Sequence, residues 1–318
     1  MVRMLVALGG NALARADEKA DWDTACRHMH STANALAPLV KKGHELLLTH
    51  GNGPQVGQLL VQNELAAREV PSRPLYVLDA ETEGQIGFLI AQELTNALTT
   101  VRAPRSVLSL IGRVVVSPRD PAFRRPTKPV GRFYSDSEAR ILKKSHGWTL
   151  VFDGARGGWR RVVPSPRPRS WVEADAFRVL IRNKLLHSVV PVLMGGGGVP
   201  VIRRASGKLE GVEAVVDKDL TAALVARETQ CHTLAIVTDV PAVAVGFHRP
   251  WERWLGAVRS SELESYYAKG EFGEGSMAPK VEAALDFLKG GGAVAVITDI
   301  PSLGRAIRGE AGTRITPG

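Results

Sequence analysis

Two lysines of this chain lie at positions where a positive charge is favourable only if a negative charge is close by. Lys218 lies between two acids in Asp217-Lys218-Asp219, immediately after an apolar run. Lys280 follows Pro279 at the start of a predicted helix, where the helix dipole disfavours a cation unless an anion lies close by. An ammonium held by carboxylates at a strand end is suited to neutralising a phosphoryl group. Asp217-Lys218-Asp219 alone is equally typical of a surface ion pair.

A third lysine, Lys128, lies in the most basic part of the chain. Residues 117–132 contain four prolines and five cations against one acid. Residues 113–169 contain fourteen Lys and Arg against four Asp and Glu, whereas the net charge of the whole chain is only +9. Proline stiffens a segment and prevents helix and most sheet pairing. We therefore expect a stiff, loop-borne basic arm that binds and releases an anion.

Two glycine loops follow buried apolar runs and are suited to the same task. Gly9-Gly10-Asn11 ends the first run and Gly51-Asn52-Gly53 ends the second. Glycine lets backbone N–H groups approach an oxyanion, and a helix N-terminus adds a favourable dipole. Two such loops at one sheet edge would form facing anion nests. This favours a phosphate or carboxylate site over ordinary turn chemistry.

The elements that must position these residues alternate between strands and helices. Residues 3–8, 45–50 and 189–194 read as strands, and residues 106–116 and 212–216 also have a strand-like pattern. Helical spacing of apolar residues separates them. This alternation predicts an α/β fold with a mostly parallel sheet covered on both faces. Ligands in such sheets lie at the carboxyl ends of the strands, where the glycines fall.

The alternation breaks in residues 117–169, which we interpret as a small basic lobe inserted into one domain of residues 1–318. A short helix near residues 135–146 is followed by two strand-like runs, residues 149–153 and 160–163, with glycines between them. That pattern predicts a hairpin. We expect the lobe to act as a lid.

Composition and motif content argue against a nucleic-acid-binding, membrane-spanning or secreted protein. Aromatic residues are 6% of the chain, no run of five like charges occurs, and no zinc spacing is present, so nucleic acid is not the expected partner. No apolar run is long enough for a membrane span, and no signal-peptide cleavage pattern follows the first run. Cys26 and Cys231 give no disulfide framework, which favours a cytoplasmic location. The phosphate-binding patterns G-x-x-x-x-G-K-[ST] and G-x-G-x-x-G are both missing.

The motifs together resemble the carbamate kinases, which belong to the amino acid kinase family. The similarity is colinear over nearly the whole chain. It is carried by residues 6–13 (VALGGNAL), 50–57 (HGNGPQVG), 126–129 (PTKP), 157–166 (GGWRRVVPSP), 211–219 (GVEAVVDKD) and 275–280 (GSMAPK).

The resemblance implies an αβα sandwich around a mostly parallel sheet, with the basic insertion as a protruding lobe. It implies reversible phosphoryl transfer between carbamoyl phosphate with MgADP and carbamate with MgATP, so Mg²⁺ enters with ATP or ADP and no protein-bound metal is expected. Residues 1–210 would form the carbamate half and residues 211–318 the nucleotide half. A cytoplasmic homodimer is the implied assembly.

The resemblance also implies a role for each candidate residue. Three lysines would neutralise the transferring group and an aspartate would orient them: Lys128, Lys218, Lys280 and Asp219. The two glycine loops would hold carbamate and the phosphoryl oxygens: Gly9, Gly10, Asn11, Gly51, Asn52 and Gly53. A third set would line the nucleotide side: Thr238, Asp239, Phe247, Gly275, Ser276, Met277 and Pro279. Phosphoryl transfer depends on charge neutralisation and in-line placement more than on a covalent nucleophile.

Two alternatives remain open at this point: a kinase for another small carboxylate, and a ligand sensor without activity. The intact lysines favour an enzyme over a sensor. Two departures from the family pattern favour a changed substrate. Pro241 and Gly246-Phe247 alter the nucleotide wall, and Glu83 stands where the family usually carries Gln.

Glu83 is predicted to lie near the start of a helix spanning residues 82–98. An exposed acid in a first helical turn is a common arrangement, so we expect its carboxylate to turn outward. The alternative is a carboxylate that points into the substrate pocket and pairs with an Arg or Lys from the basic lobe.

Overall fold

The computed structural model describes residues 1–10, 18, 21–154, 156–273 and 275–318. Within them the helices are α1 Trp22–Lys41, α2 Gly53–Ala66, α3 Leu75–Thr100, α4 Asp136–His146, α5 Ala174–Arg182, α6 Lys218–Glu228, α7 Ser260–Ala268, α8 Met277–Lys289 and α9 Leu303–Arg308. The strands of the first half are β1 Arg3–Leu8, β2 Glu45–His50, β3 Ser106–Ser109, β4 Arg113–Val116, β5 Lys128–Tyr134, β6 Leu150–Asp153, β7 Gly158–Val163, β8 Pro168–Trp171 and β9 Val189–Val192. Those of the second half are β10 Val199–Arg203, β11 Leu209–Gly211, β12 Thr233–Val237, β13 Val243–Val245, β14 Arg253–Leu255, β15 Ala257–Arg259, β16 Val294–Thr298 and β17 Thr313–Thr316.

A sheet of eight strands forms the centre of the molecule, in the order β15-β17-β16-β12-β1-β2-β9-β3. The pairs run parallel except β16 with β17, which run antiparallel. The predicted mostly parallel α/β architecture is confirmed.

Helices cover both faces of this sheet, because its central strands are apolar on both sides. In β1, Leu5 and Ala7 pack into one core with residues of α6 and α8. Met4 and Val6, on the opposite face, pack into a second core with residues of α1 and α3. Two cores on either side of one sheet make the αβα sandwich that the family resemblance implies.

The insertion contains a separate three-stranded antiparallel sheet, in the order β5-β7-β6, next to α4. The predicted hairpin of β6 and β7 is therefore present. The expectation that prolines prevent pairing around Lys128 is wrong, because β5 begins at Lys128 and Pro129 pairs with Val162. β5 is an edge strand of its sheet, where a missing N–H can face away from the ladder. Lys128 is thus held by a strand and not by a loop.

Two predicted strands differ from the structure. The run over residues 106–116 is divided into β3, in the large sheet, and β4, in a second sheet of order β11-β10-β4-β8. The run over residues 212–216 is not a strand and only residues 214–216 are buried; the Val215 N–H donates to the carbonyl oxygen of Pro164. In both places apolar content alone did not reveal which strand would be the partner.

The predicted helix over residues 82–98 begins earlier, at Leu75, with Pro74 as its N-cap residue. Glu83 therefore lies inside α3 and not in its first turn. Among the described helices, none is both long and apolar enough to cross a lipid bilayer.

Candidate active site

The glycine loops meet at the carboxyl ends of adjacent parallel strands. Gly9 follows β1 and Gly51 follows β2. A Cβ added to Gly9 would lie 2.7 Å from the carbonyl oxygen of Val237, and one added to Gly51 would lie 3.5 Å from the N atom of Gly10. The close backbone approach explains why glycine is needed at Gly9. Asn11 lies outside the described residues.

The Asp-Lys-Asp motif forms the start of α6. Asp217 is the N-cap residue, and its Oδ1 accepts hydrogen bonds from the N–H groups of Asp219 at 2.9 Å and Leu220 at 3.3 Å. This capping interaction occupies two of the N–H groups that a helix start leaves unpaired. It also fixes the backbone from which Lys218 and Asp219 project.

Asp219 binds two of the predicted lysines at once. Its Oδ1 lies 2.5 Å from Lys218 Nζ and its Oδ2 lies 3.3 Å from Lys280 Nζ. Lys280 Nζ also donates to the carbonyl oxygen of Ser276 at 3.0 Å. The predicted anion beside the Lys280 ammonium is therefore Asp219.

Asp219 stays ionised although it is buried. Burial by itself would raise its pKa, but the neighbouring Lys218 and Lys280 ammoniums lower the pKa of Asp219 to about 2. The buried carboxylate fixes the positions of both lysine side chains, because moving either lysine away would leave a buried charge without its partner.

Lys128 reaches the same place from the lobe. Its Nζ lies 3.1 Å from Asp217 Oδ2, and its side chain is 40% exposed, whereas those of Lys218 and Lys280 are 13% and 16% exposed. The pair Asp217 and Asp219 thus gathers three ammonium groups from β5, α6 and α8. Lys128 is the most accessible of the three.

These groups surround a cavity of about 200 Å³. It is lined by most of the residues predicted for the phosphoryl and carbamate sites, together with Gly196 and part of the predicted nucleotide loop: Gly51, Asn52, Gly53, Lys128, Lys218, Asp219, Lys280, Gly275, Ser276 and Pro279. We call it the lysine cavity.

A second cavity of about 180 Å³ shares Ser276 with the lysine cavity. It is lined by the predicted Thr238, Asp239, Phe247 and Met277. Sequence reasoning missed two aromatic residues of its wall, Trp254 and Phe272. The Trp254 ring meets that of Phe247 edge-on, with 6.3 Å between the ring centroids. We call this the aromatic cavity.

Backbone donors complete the lysine cavity. The Gly51 N–H is already used, because it donates to the carbonyl oxygen of Leu8. No described residue accepts a hydrogen bond from the N–H groups of Asn52 and Gly53, which lie at the start of α2. The N-terminus of a helix with free N–H groups attracts anions.

Glu83 contradicts both predicted arrangements. It is 2% exposed, so it does not turn outward, and no described Arg or Lys pairs with it. Its Oε2 instead accepts from the N–H groups of Gly112, at 3.0 Å, and Gly195, at 3.2 Å, while Oε1 has no partner among the described residues. Burial raises the pKa of Glu83 well above its ordinary value, although the two N–H donors oppose the shift.

Two neighbours of Glu83 on α3, Asp79 and Thr82, also escaped the sequence reasoning. The Asn52 Nδ2 donates to Thr82 Oγ1 at 2.9 Å and to Asp79 Oδ1 at 3.2 Å. Burial raises the pKa of Asp79 to about 8, although the Asn52 hydrogen bond opposes the shift. Both lie on one buried stripe of α3, and the sequence shows this stripe only once the helix is known to begin at Leu75. The stripe contains Leu75, Leu78, Asp79, Thr82, Glu83, Ile86 and Ile90.

Comparisons with known proteins identify the family of the chain. The family model described as the amino acid kinase family matches residues 3–299. The chain is 41% identical over 317 residues to the carbamate kinase of Pyrococcus horikoshii, covering 99% of each chain. It is also 41% identical over 321 residues to the carbamate kinase of Trichomonas vaginalis, covering 99% of this chain and all of the other.

A solved structure is similar throughout. The carbamate kinase from Giardia lamblia bound to AMP-PNP matches with a TM-score of 0.92 and 38% identity, over all of this chain and 99% of the other.

Proposed function

The chain belongs to the carbamate kinases of the amino acid kinase family, and we propose that the lysine cavity is where it transfers a phosphoryl group between carbamoyl phosphate and ADP. The products are carbamate and ATP, and the reaction is reversible. The observation that carries this assignment is the meeting of Lys128, Lys218 and Lys280 around one small cavity, held by Asp217 and Asp219.

Three ammonium groups suit the charge of the reacting group. The transferring phosphoryl group spreads its negative charge over three equatorial oxygens and needs little covalent help from the protein. Preorganised cations stabilise that charge without having to reorganise during the reaction. Asp219 holds the ammoniums of Lys218 and Lys280 in place by ion pairs. We therefore propose that these two lysines stabilise the phosphoryl charge without moving during the reaction.

Lys128 has a different assignment. It is the most exposed lysine of the cavity and lies on a lobe that has its own sheet and helix. We propose that the lobe closes over the phosphates when both substrates are bound, which brings Lys128 from Asp217 onto the transferring group. Lid closure of this kind excludes water and completes the charged site.

The two adjoining cavities divide the substrates between them. Carbamoyl phosphate would occupy the lysine cavity, and the base of the nucleotide would occupy the aromatic cavity, between Phe247 and Met277. Ser276, common to both cavities, would lie beside the phosphate chain. The Giardia lamblia carbamate kinase bound to AMP-PNP supports an adenine nucleotide as the second substrate.

We propose that Mg²⁺ enters as part of the nucleotide substrate. The described residues contain no group of three or more His, Cys, Asp or Glu arranged to hold a metal ion. The two carboxylates at the site, Asp217 and Asp219, are already engaged by lysines. Phosphate oxygens of ADP or ATP would supply the main ligands of the ion, because Mg²⁺ is usually bound through substrate phosphates.

Three finer assignments rest on the family resemblance: a homodimer, a cytoplasmic location and a role in arginine metabolism. Two cysteines without a disulfide, Cys26 and Cys231, agree with a reducing compartment. The division into a carbamate half, residues 1–210, and a nucleotide half, residues 211–318, stays a prediction of the same kind.

The proposed function is tested by measuring ATP formed from MgADP with a panel of acyl phosphates. Carbamoyl phosphate should be the preferred donor. If another acyl phosphate is clearly preferred, the protein is a kinase of a different carboxylate. A folded, nucleotide-binding protein that forms no ATP with any donor would be a sensor.

A further inference from the structure

Asn52 holds its side-chain amide in one orientation. Its Nδ2 is directed at Thr82 Oγ1 and Asp79 Oδ1, both on α3. The Thr82 hydroxyl donates its own hydrogen to the Asp79 carbonyl oxygen at 2.8 Å, so toward Asn52 its oxygen can only accept. An amide turned the other way would bring two oxygens together at this point.

That orientation decides what Asn52 can offer a substrate. Both amide hydrogens are directed at acceptors on α3, so the group that remains is the Oδ1 acceptor. Asn52 lines the lysine cavity, and its amide lies against Gly196, where an added Cβ would be 2.2 Å from Nδ2 and 2.6 Å from Oδ1. Gly196 therefore holds the amide group in place, and the two acceptors on α3 decide which of its two ends faces α3.

An acceptor is the wrong partner for an anion but the right one for an amino group. The oxyanions in the lysine cavity need N–H donors, which the lysines and the backbone of α2 supply. Carbamoyl phosphate also carries an NH₂ group, and a carbonyl oxygen can accept a hydrogen bond from it. Acetyl phosphate has a methyl group of similar size in that place and no hydrogen to donate.

We infer that Thr82 and Asp79 are positioning residues that set donor specificity, by holding the Asn52 carbonyl oxygen toward the amino group of carbamoyl phosphate. This inference rests on the proposed function. A site that accepts a hydrogen bond from its substrate discriminates strongly against an analogue without the donor, because a buried acceptor is then left unpaired. The inference adds to the predicted role of Asn52, which assigned it to the substrate without saying which group it binds.

The test compares kcat/KM for carbamoyl phosphate with kcat/KM for acetyl phosphate, using MgADP as the acceptor. The variant Thr82→Val keeps the side-chain shape and removes the nearer of the two oxygens that fix the amide. We expect the ratio to fall on the order of tenfold or more, because the amide can then turn its NH₂ toward the substrate. The change should appear mainly in KM for carbamoyl phosphate, with KM for MgADP unchanged.

Two matched variants separate this effect from a general loss of packing. Thr82→Ser retains the hydroxyl and should retain the wild-type ratio. Thr221 is also fully buried, and its Oγ1 donates to the carbonyl oxygen of Gly197, in a loop of four glycines, residues 195–198, that also contains Gly196. Thr221→Val therefore disturbs the loop without touching Asn52, and its ratio should stay at the wild-type value whatever its total activity.

The outcomes are distinct. If Thr82→Val does not fold, Asp79→Val removes the other acceptor, together with an Oδ2 that has no partner among the described residues, and should lower the ratio in the same way. An unchanged ratio in a folded variant, or a wild-type ratio near one, overturns the inference while leaving the kinase assignment intact. Failure of wild type to form ATP from either donor overturns the proposed function instead.

Discussion

Two buried acidic groups, Asp219 on α6 and Glu83 on α3, have surroundings that give them opposite charge behaviour. Asp219, below the lysine cavity, is 4% exposed and Glu83, on α3, is 2% exposed. Burial raises the pKa of both, yet two ammoniums bring that of Asp219 down to about 2, whereas Glu83 has only backbone N–H donors and its pKa stays well above the ordinary value.

The difference separates two uses of a buried acid. At Asp219 a permanent negative charge holds cations in place for a charged reaction. At Asp79 and Glu83 the same residue type positions polar groups: Asp79 accepts from the Asn52 amide and Glu83 accepts from the Gly195 backbone. The first depends on charge, and the second depends on hydrogen-bond geometry. Variants that remove charge but keep shape therefore distinguish them.

The largest effect is expected for Asp219→Asn. It leaves the Lys218 and Lys280 ammoniums without their buried partner, and breaking such a pair costs about 3–5 kcal/mol. We expect kcat to fall about a thousandfold and the free energy of unfolding to fall at neutral pH. Steady-state kinetics and urea denaturation measure the two quantities. Near-wild-type kcat in a folded variant would show that the lysines do not need the Asp219 carboxylate to hold them in position.

Lys128→Ala should lower kcat by a factor on the order of 100, because one preorganised charge donor contributes roughly 3 kcal/mol. Its Tm should stay near wild type, since the side chain is 40% exposed and its ion pair is correspondingly weak. Kinetics and calorimetry on one preparation compare the two. A large Tm loss with little change in kcat would assign Lys128 to structure.

The contribution of Asp79 to the free energy of unfolding should depend on pH in the opposite sense to that of Asp219, and the variant Asp79→Asn tests this. The pKa of Asp79 is about 8 in the folded chain against an ordinary value of 3.8, so between these values only the unfolded chain releases the proton. The free energy of unfolding of wild type therefore loses this contribution as pH rises through that window. Asn at this position does not titrate, so the variant should gain stability relative to wild type by about 1 kcal/mol or more between pH 5 and 8.

Urea denaturation at both pH values measures that difference, and Glu83→Gln should follow the same trend. Asp219 has a lowered pKa, so its contribution to stability is present above pH 3.8 and is lost as pH falls toward 2. A relative stability of Asp79→Asn that decreases with rising pH would mean that Asp79 is ionised in the folded protein and paired.

The smallest change is expected in the dynamics of the lobe. Hydrogen exchange in residues 117–169 should slow when MgADP and a carbamoyl phosphate analogue are added together, because lid closure orders the lobe over the phosphates. Helix α9, which lines neither cavity, serves as the internal control and should change less. If both ligands are shown to bind and exchange in the lobe does not change, the proposal that the lobe closes and carries Lys128 onto the phosphates is wrong.

The charged half of the site could be predicted from the sequence, whereas the positioning half could not. Lys128, Lys218, Lys280 and the glycine loops are recognisable because their types conflict with ordinary packing at strand ends and helix starts. Asp79, Thr82 and Glu83 needed the tertiary structure, because an acid on a helix is interpreted as exposed by default. The correct beginning of α3, after Pro74, would have put all three on the buried stripe.

The same reason explains the strands that differ. β5 is paired although it contains Pro129, because it is an edge strand, and edge position is a property of the whole sheet. The run over residues 106–116 divides between two sheets, and nothing local in an apolar run states which sheet it joins. Local patterns indicated most element types, whereas long-range pairing decided the partners and also decided that residues 212–216 form no strand and that Lys128 begins one.

The most direct test of the account is the rate of ATP formation from carbamoyl phosphate and MgADP by wild type and by Lys218→Met, a variant that keeps the length of the side chain and removes its charge. Lys218 is the lysine closest to Asp219, at 2.5 Å. We predict that wild type forms ATP and that kcat of Lys218→Met is lower by a factor on the order of a thousand, with nucleotide affinity nearly unchanged. A folded Lys218→Met variant with kcat within tenfold of wild type would contradict the assignment of the lysine cavity to phosphoryl transfer.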